Sequence, residues 1–174
     1  MDASAADWEA FATATLGAAA VLIGLIFVAV ALNLGRILKY PWLVDRAGEA
    51  IVQLFVIVAA MALLLVPGQP VTILGLELIG VGLAGTILLA ILARTQGRKL
   101  ERAGLDLQDL ARTAMPAVLA RASAGIGGMI LFVIAGASLL AGAGGGLYWV
   151  VPATLLTLAM TILTSWVLLI EVDR

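Results

Sequence analysis

The placement of its charges constrains this chain more than any other feature. Five long stretches, 11–34, 50–66, 71–93, 124–143 and 147–170, are apolar, and of ten basic and eleven acidic residues only Glu77 falls inside any of them. Crossing the roughly 30 Å hydrocarbon core of a bilayer takes about 20 apolar residues in a helix. A soluble domain of 174 residues, 63% of them hydrophobic, has no single core able to hide so much apolar surface. Backbone groups in lipid must be satisfied internally, and these stretches lack the period-2 alternation of barrel strands. The expected fold class is therefore all-α: an integral membrane bundle of five transmembrane helices in one domain over residues 1–174.

Proline and glycine mark the joints. Pro67-Gly68-Gln69-Pro70 and Ala143-Gly144-Gly145-Gly146 read as tight turns, so the spans on either side of each form antiparallel hairpins. The second stretch is short, and its helix can extend through Gly48 or stand nearly upright. The N-terminal segment carries Asp2, Asp7 and Glu9 without Lys or Arg, the reverse of a signal peptide, so the first span is expected to be a retained anchor.

With five spans, every basic residue falls on one side: Arg36, Lys39 and Arg46, then Arg94, Arg98, Lys99, Arg102, Arg112 and Arg121, and finally Arg174. The positive-inside rule then places the N-terminus outside and the C-terminus in the cytoplasm. The aromatic residues agree with that assignment. Trp8, Tyr148 and Trp149 fall at the expected outer headgroup belt, and Tyr40, Trp42 and Trp166 at the inner one.

Two cytoplasmic segments follow from this topology. In 35–49, Pro41 suits the first turn of a helix, and Arg36 and Lys39 either contact anionic headgroups or only set topology. In 94–121, Arg98 and Lys99 lie in a basic cluster, also placed to meet headgroups. Asp106 and Asp109 resemble a helix start, and Leu107, Leu110, Ala111, Ala114 and Val118 repeat at helical spacing. An amphipathic interfacial helix is expected there, ending or kinking near Pro116, and it is also a surface that could dock a partner.

Glu77 is the most informative single residue. It lies about 9 Å into the third span at 1.5 Å per residue, and no Lys, Arg or His lies in any span to pair with it. Ionisable residues at such depth are expensive and mark function by default, so one reading is a proton or cation site. The other is a carboxyl hydrogen-bonded to a neighbouring helix or snorkelling outward. In the fifth span Thr154, Thr157, Thr161, Thr164 and Ser165 share one helix face. They form either the wall of a hydrated pore or a polar helix–helix seam.

Small residues suggest close packing: Gly17, Ala20, Gly24 and Ala31 in the first span, and Gly80 and Ala84 on the face of Glu77 in the third. Gly125, Gly127 and Gly128 suggest the same for the fourth. Asn33 and Gln53, near the inner ends of their spans, are a possible hydrogen-bonded pair. Gly80-Val-Gly-Leu-Ala-Gly85 fits a dinucleotide-binding pattern, but that pattern has meaning only between a strand and a helix. Without His or Cys, and without a Walker motif or paired carboxylates in a span, an enzyme, a metal site or a cofactor is not expected. Nor is nucleic-acid binding, since the cytoplasmic segments lack interleaved aromatics.

The first span and its flank, Trp8-x-x-Phe11 followed by Gly17-Ala-Ala-Ala-Val-Leu-Ile-Gly24-Leu-Ile-Phe27-Val-Ala, together with the Leu65-Val-Pro-Gly-Gln69 turn, resemble a group of small bacterial polytopic membrane proteins with no established catalytic residues. The resemblance covers about the first third of the chain. It implies a multi-pass protein of the bacterial cytoplasmic membrane and assigns no site. Two functions fit the residues. One is an oligomeric channel or transport-type protein for protons or small ions, with a homo-oligomer as the working form. The other is a non-catalytic membrane subunit that docks or regulates a larger membrane complex through the 94–121 segment.

Overall fold

A computed structural model describes residues 8–32, 34–37, 41–102 and 115–170. They form helices α1 (Glu9–Leu32), α2 (Leu34–Ile37), α3 (Pro41–Leu64), α4 (Val71–Arg102), α5 (Met115–Ala141) and α6 (Val150–Ile170), with a 3-10 turn at Gly146–Trp149 before the last. Four of these segments are long and apolar enough to cross a membrane: Glu9–Leu32, Val44–Leu64, Val71–Gln96 and Gly146–Ser165. The apolar described part of α5, Gly125–Ala141, is shorter, although the helix as a whole has 27 residues.

α3, α4 and α5 each extend beyond the apolar stretch at one end. α3 begins at Pro41 rather than at residue 50, which lengthens the short second span. The expected loop 94–121 is helical at both ends, because α4 runs on to Arg102 and α5 already begins at Met115; residues 103–114 lie outside the described residues. Hydropathy marks where apolar surface stops, but a helix stops where its backbone bonding is broken. Residues 94–102 contain no proline. Pro116, expected to end or kink a helix, instead lies in the first turn of one, where its missing N–H has no partner to lose. The expected helix start at Asp106 lies outside the described residues, and so do Leu107–Ala114 of the amphipathic stripe.

α3 sits at the centre and packs against α1, α4 and α6, while α5 packs against α4 and α6. Half of the apolar window of α3 is buried, against 17% for α1. α1 meets α3 along Ala12, Thr15, Ala19 and Ile26, at helical spacing, so its Gly17, Ala20, Gly24 and Ala31 face outward and are exposed. Among the described residues nothing lies within 4 Å of a Cβ built on Gly17 or Gly24.

The tightest seam joins α4 to α5, antiparallel. A Cβ on Gly136 would collide with the Gly75 carbonyl, and one on Gly82 would lie 2.8 Å from both the Met129 carbonyl oxygen and Val133 Cγ2. On Gly85 it would lie 2.7 Å from Met129 Sδ. Small residues do mediate the contact, but they are Gly75, Gly82 and Gly85 rather than Gly80 and Ala84. Those two are exposed, and Gly80 has open space around it.

These pairings define two ends of the bundle. The turn end holds the start of α1, the turn 65–70 and the turn 142–149. There Trp8 packs edge-on against Phe11 at 5.8 Å and Tyr148 at 5.2 Å, so the Trp8-x-x-Phe11 pattern is an inter-element aromatic cluster. The second turn depends on glycine: Gly142, Gly144, Gly145 and Gly146 all have positive φ, from 56° to 103°, a region that favours glycine. The Ser138 hydroxyl accepts from the Gly146 N–H at 2.7 Å, and Trp149 Nε1 donates to the Gly144 carbonyl at 2.7 Å. The opposite, basic end holds Arg46 on α3 and Arg94 on α4, and Gln96 Nε2 donates to Glu49 Oε1 at 2.6 Å to tie those helix ends together.

The α4–α5 seam predicts unequal responses to similar substitutions. Gly136→Ala should lower stability by about 1–3 kcal/mol through overpacking. Gly80→Ala should leave it unchanged or raise it by up to about 1 kcal/mol through helix propensity. Reversible unfolding in detergent micelles measures both, and equal effects would contradict the seam.

Candidate functional site

The first three threonines of the α6 face lie inside the protein, and Thr164 and Ser165 are half-buried. Thr154 is 1% exposed, and Thr157 and Thr161 are 0% exposed, so these residues do not line an open path through a single chain. α6 packs this region against α3 and α5. Gly128 of α5 approaches so closely that a Cβ there would meet the Thr157 hydroxyl. The seam reading of the stripe fits this geometry, and the pore reading does not fit it within one protomer.

The hydroxyls are satisfied mostly by their own helix. Thr157 donates to the Ala153 carbonyl at 2.7 Å, Thr164 to Met160 at 2.8 Å and Ser165 to Thr161 at 2.9 Å. Thr161 lies 2.9 Å from the Thr157 carbonyl and 3.0 Å from Gln53 Oε1 on α3, so one proton is shared between two acceptors. Gln53 is also buried, and its amide would collide with a Cβ on Gly125. A polar node thus joins α3, α5 and α6. Asn33, expected to pair with Gln53, lies outside the described residues. The Thr154 hydroxyl is buried and has no hydrogen-bond partner.

Glu77 is half-buried on α4, beside the exposed Leu76 and Gly80. Its carboxylate accepts a hydrogen bond from Gln69 Nε2, in the turn before α4. Side chains on a helix lean toward its N-terminus, so a glutamate about two turns in points back at the turn that starts the helix. Sequence reasoning missed Gln69. The usable signal was its position just before the helix that carries the only acidic residue of the apolar stretches. The far end of the Gln69 amide, Oε1, is buried and has no partner.

The remaining candidates are dispersed. Arg36 is in α2, and Arg98 and Lys99 are in the last turns of α4. Lys39 lies outside the described residues. Among the described residues no group of His, Cys, Asp or Glu could hold a metal ion.

Helix length, apolar composition and a buried polar seam define the class: a polytopic, all-helical membrane protein. Compared with protein-family models, curated proteins and solved structures, the chain matches none.

The seam makes a testable contrast between two threonines. Thr161→Val strips Gln53 of its partner in the core and should lower stability by about 1–3 kcal/mol. Thr154→Val removes a hydroxyl that bonds to nothing and should be neutral or stabilising. Denaturation in micelles distinguishes them, and two neutral results would mean that the face is wet.

Proposed function

We propose that this is an oligomeric channel or transport-type protein of the bacterial cytoplasmic membrane that passes protons or small cations along the outward face of α4, between copies of the chain. The observation that carries this reading is Glu77. It is the one acidic side chain within the apolar stretches, and it sits half-buried at the edge of a face whose next turns, at Gly80 and Ala84, are uncovered. A carboxyl in hydrocarbon is expensive unless it faces protein or a water-filled cavity, and small residues below it let another helix approach closely. Because the threonine face is sealed within the protomer, the path belongs at the seam between copies.

The same reading makes all five long helices spans, with the turn end outside and the basic end in the cytoplasm. Three features support it: the basic residues gathered at one end, the aromatic cluster at the other, and α5 packed along α4 through glycine contacts. α5 has 27 residues, about 40 Å of helix at 1.5 Å per residue, which is ample for a crossing.

Reconstituted in liposomes, the protein should show pH-dependent cation or proton flux, and Glu77→Gln should abolish it. Flux no greater than in empty liposomes, or unchanged in the variant, overturns the reading. Topology is tested separately, since the chain has no native cysteine. A membrane-impermeant maleimide should label Ala143→Cys in intact cells and Lys99→Cys only after permeabilisation. The reverse pattern would invert the topology.

A further inference from the structure

We infer that Gln69 and Glu77 together form a proton-selective site, in which the Gln69 amide turns over to partner both the charged and the neutral carboxyl. This rests on the reading of Glu77 as the transport site and names the species bound there.

The geometry begins with a mismatch between the two ends of one amide. Nε2 of Gln69 donates to the Glu77 carboxylate, while Oε1 of the same amide is buried and meets no donor. An amide has two hydrogen-bonding ends of nearly the same shape, one donating and one accepting. When the carboxylate takes a proton from hydronium, an O–H bond of hydronium breaks and water leaves, one O–H bond forms on Glu77, and the group becomes a donor. The N–H that faced it then has a poorer acceptor. A half-turn of the amide brings Oε1 to the new O–H and restores a hydrogen bond. Either way one amide end is engaged and one is left over, so neither orientation gains a bond that the other lacks. One side chain can therefore meet Glu77 either as donor or as acceptor, as a site that must load and unload a proton requires.

Ligand number separates the proton from a metal cation. A bound proton needs a donor and an acceptor, which these two side chains supply. Hard metal cations such as Ca²⁺ and Mg²⁺ take about six or more oxygen ligands, and among the described residues no acidic cluster could add them. Among the described residues the helices packed against α4 bring no charge to this part of it. α4 packs chiefly against α3 and α5, and residues 50–66 of α3 and its turn, 67–70, and 125–141 of α5 contain no titratable side chain. Among the described residues the titratable groups at the turn end besides Glu77 are Glu9 on α1 and Tyr148, both exposed.

Infrared difference spectroscopy on the full chain in bilayers, labelled with isotopic glutamine, tests this without relying on a variant to fold. The chain has four glutamines, at 53, 69, 96 and 108. On titration, a carboxyl C=O band that is absent from Glu77→Gln should appear together with a shift in one glutamine amide band. That amide band should be missing from Gln69→Leu, or displaced in Gln69→Asn if the leucine variant does not insert. Replacing sodium by potassium or lithium at fixed pH should move neither band. An amide band that stays still while the carboxyl titrates overturns the inference, as does a carboxyl band displaced by the metal ion present. Coupled bands without liposome flux would uphold the site and reject transport, whereas Glu77-dependent flux with an unmoved amide would do the opposite.

Discussion

The backbone-to-backbone approach of α4 and α5 supports the rest of the bundle. In a bilayer, lipid tails are as apolar as leucine, so helices gain little by hiding apolar surface from the solvent. Association depends instead on how closely two backbones come and on the polar bonds made across them. Gly75, Gly82, Gly85 and Gly136 allow an approach at which a single added methyl group would strike a main-chain carbonyl or a packed side chain. The antiparallel register set by those contacts places the two glycine- and proline-rich turns at the same end.

A second tier of contacts is polar. α3, the most buried of the membrane-length helices, reaches α6 through Gln53 and Thr161, and α5 makes room for Gln53 at Gly125 and for Thr157 at Gly128. At the basic end the Gln96–Glu49 bond ties α4 to α3. At the turn end Gln69 holds Glu77. The first two bonds join residues whose helix backbone is already fixed, so little further chain entropy is lost in making them. α1 lies largely outside this framework. Its Gly17, Ala20, Gly24 and Ala31 are exposed, and its link to the turn before α6 is the aromatic cluster of Trp8 and Tyr148.

The architecture was legible in the sequence to the extent that membrane partitioning is. Four of the five expected spans coincide closely with membrane-length helices, and both turns fall at their proline and glycine markers. Helix ends were less legible at the water interface, because polar residues such as those at 94–102 continue a helix as readily as they leave one. Glu77 was visible as the one acidic residue in an apolar stretch. Its partner was not, because a glutamine in a turn carries no periodic or compositional signal. The threonine stripe was visible too, but its spacing is identical for a pore wall and a packing seam.

The sequence alone therefore determined which segments enter the membrane, that they are helical, and where they turn. Those outcomes follow from transfer of whole segments between water and hydrocarbon, which composition decides. Only the tertiary structure decided which face of each helix meets another. Glycines occur on several faces of α4, and those at 75, 82 and 85 were chosen over the one at 80 because the facing surface of α5 complements them. Threonine hydroxyls satisfied by their own backbone are indifferent to water or protein, so their burial was settled by the helices that closed over them. Face selection is a pairwise property of two surfaces, and no single segment carries it.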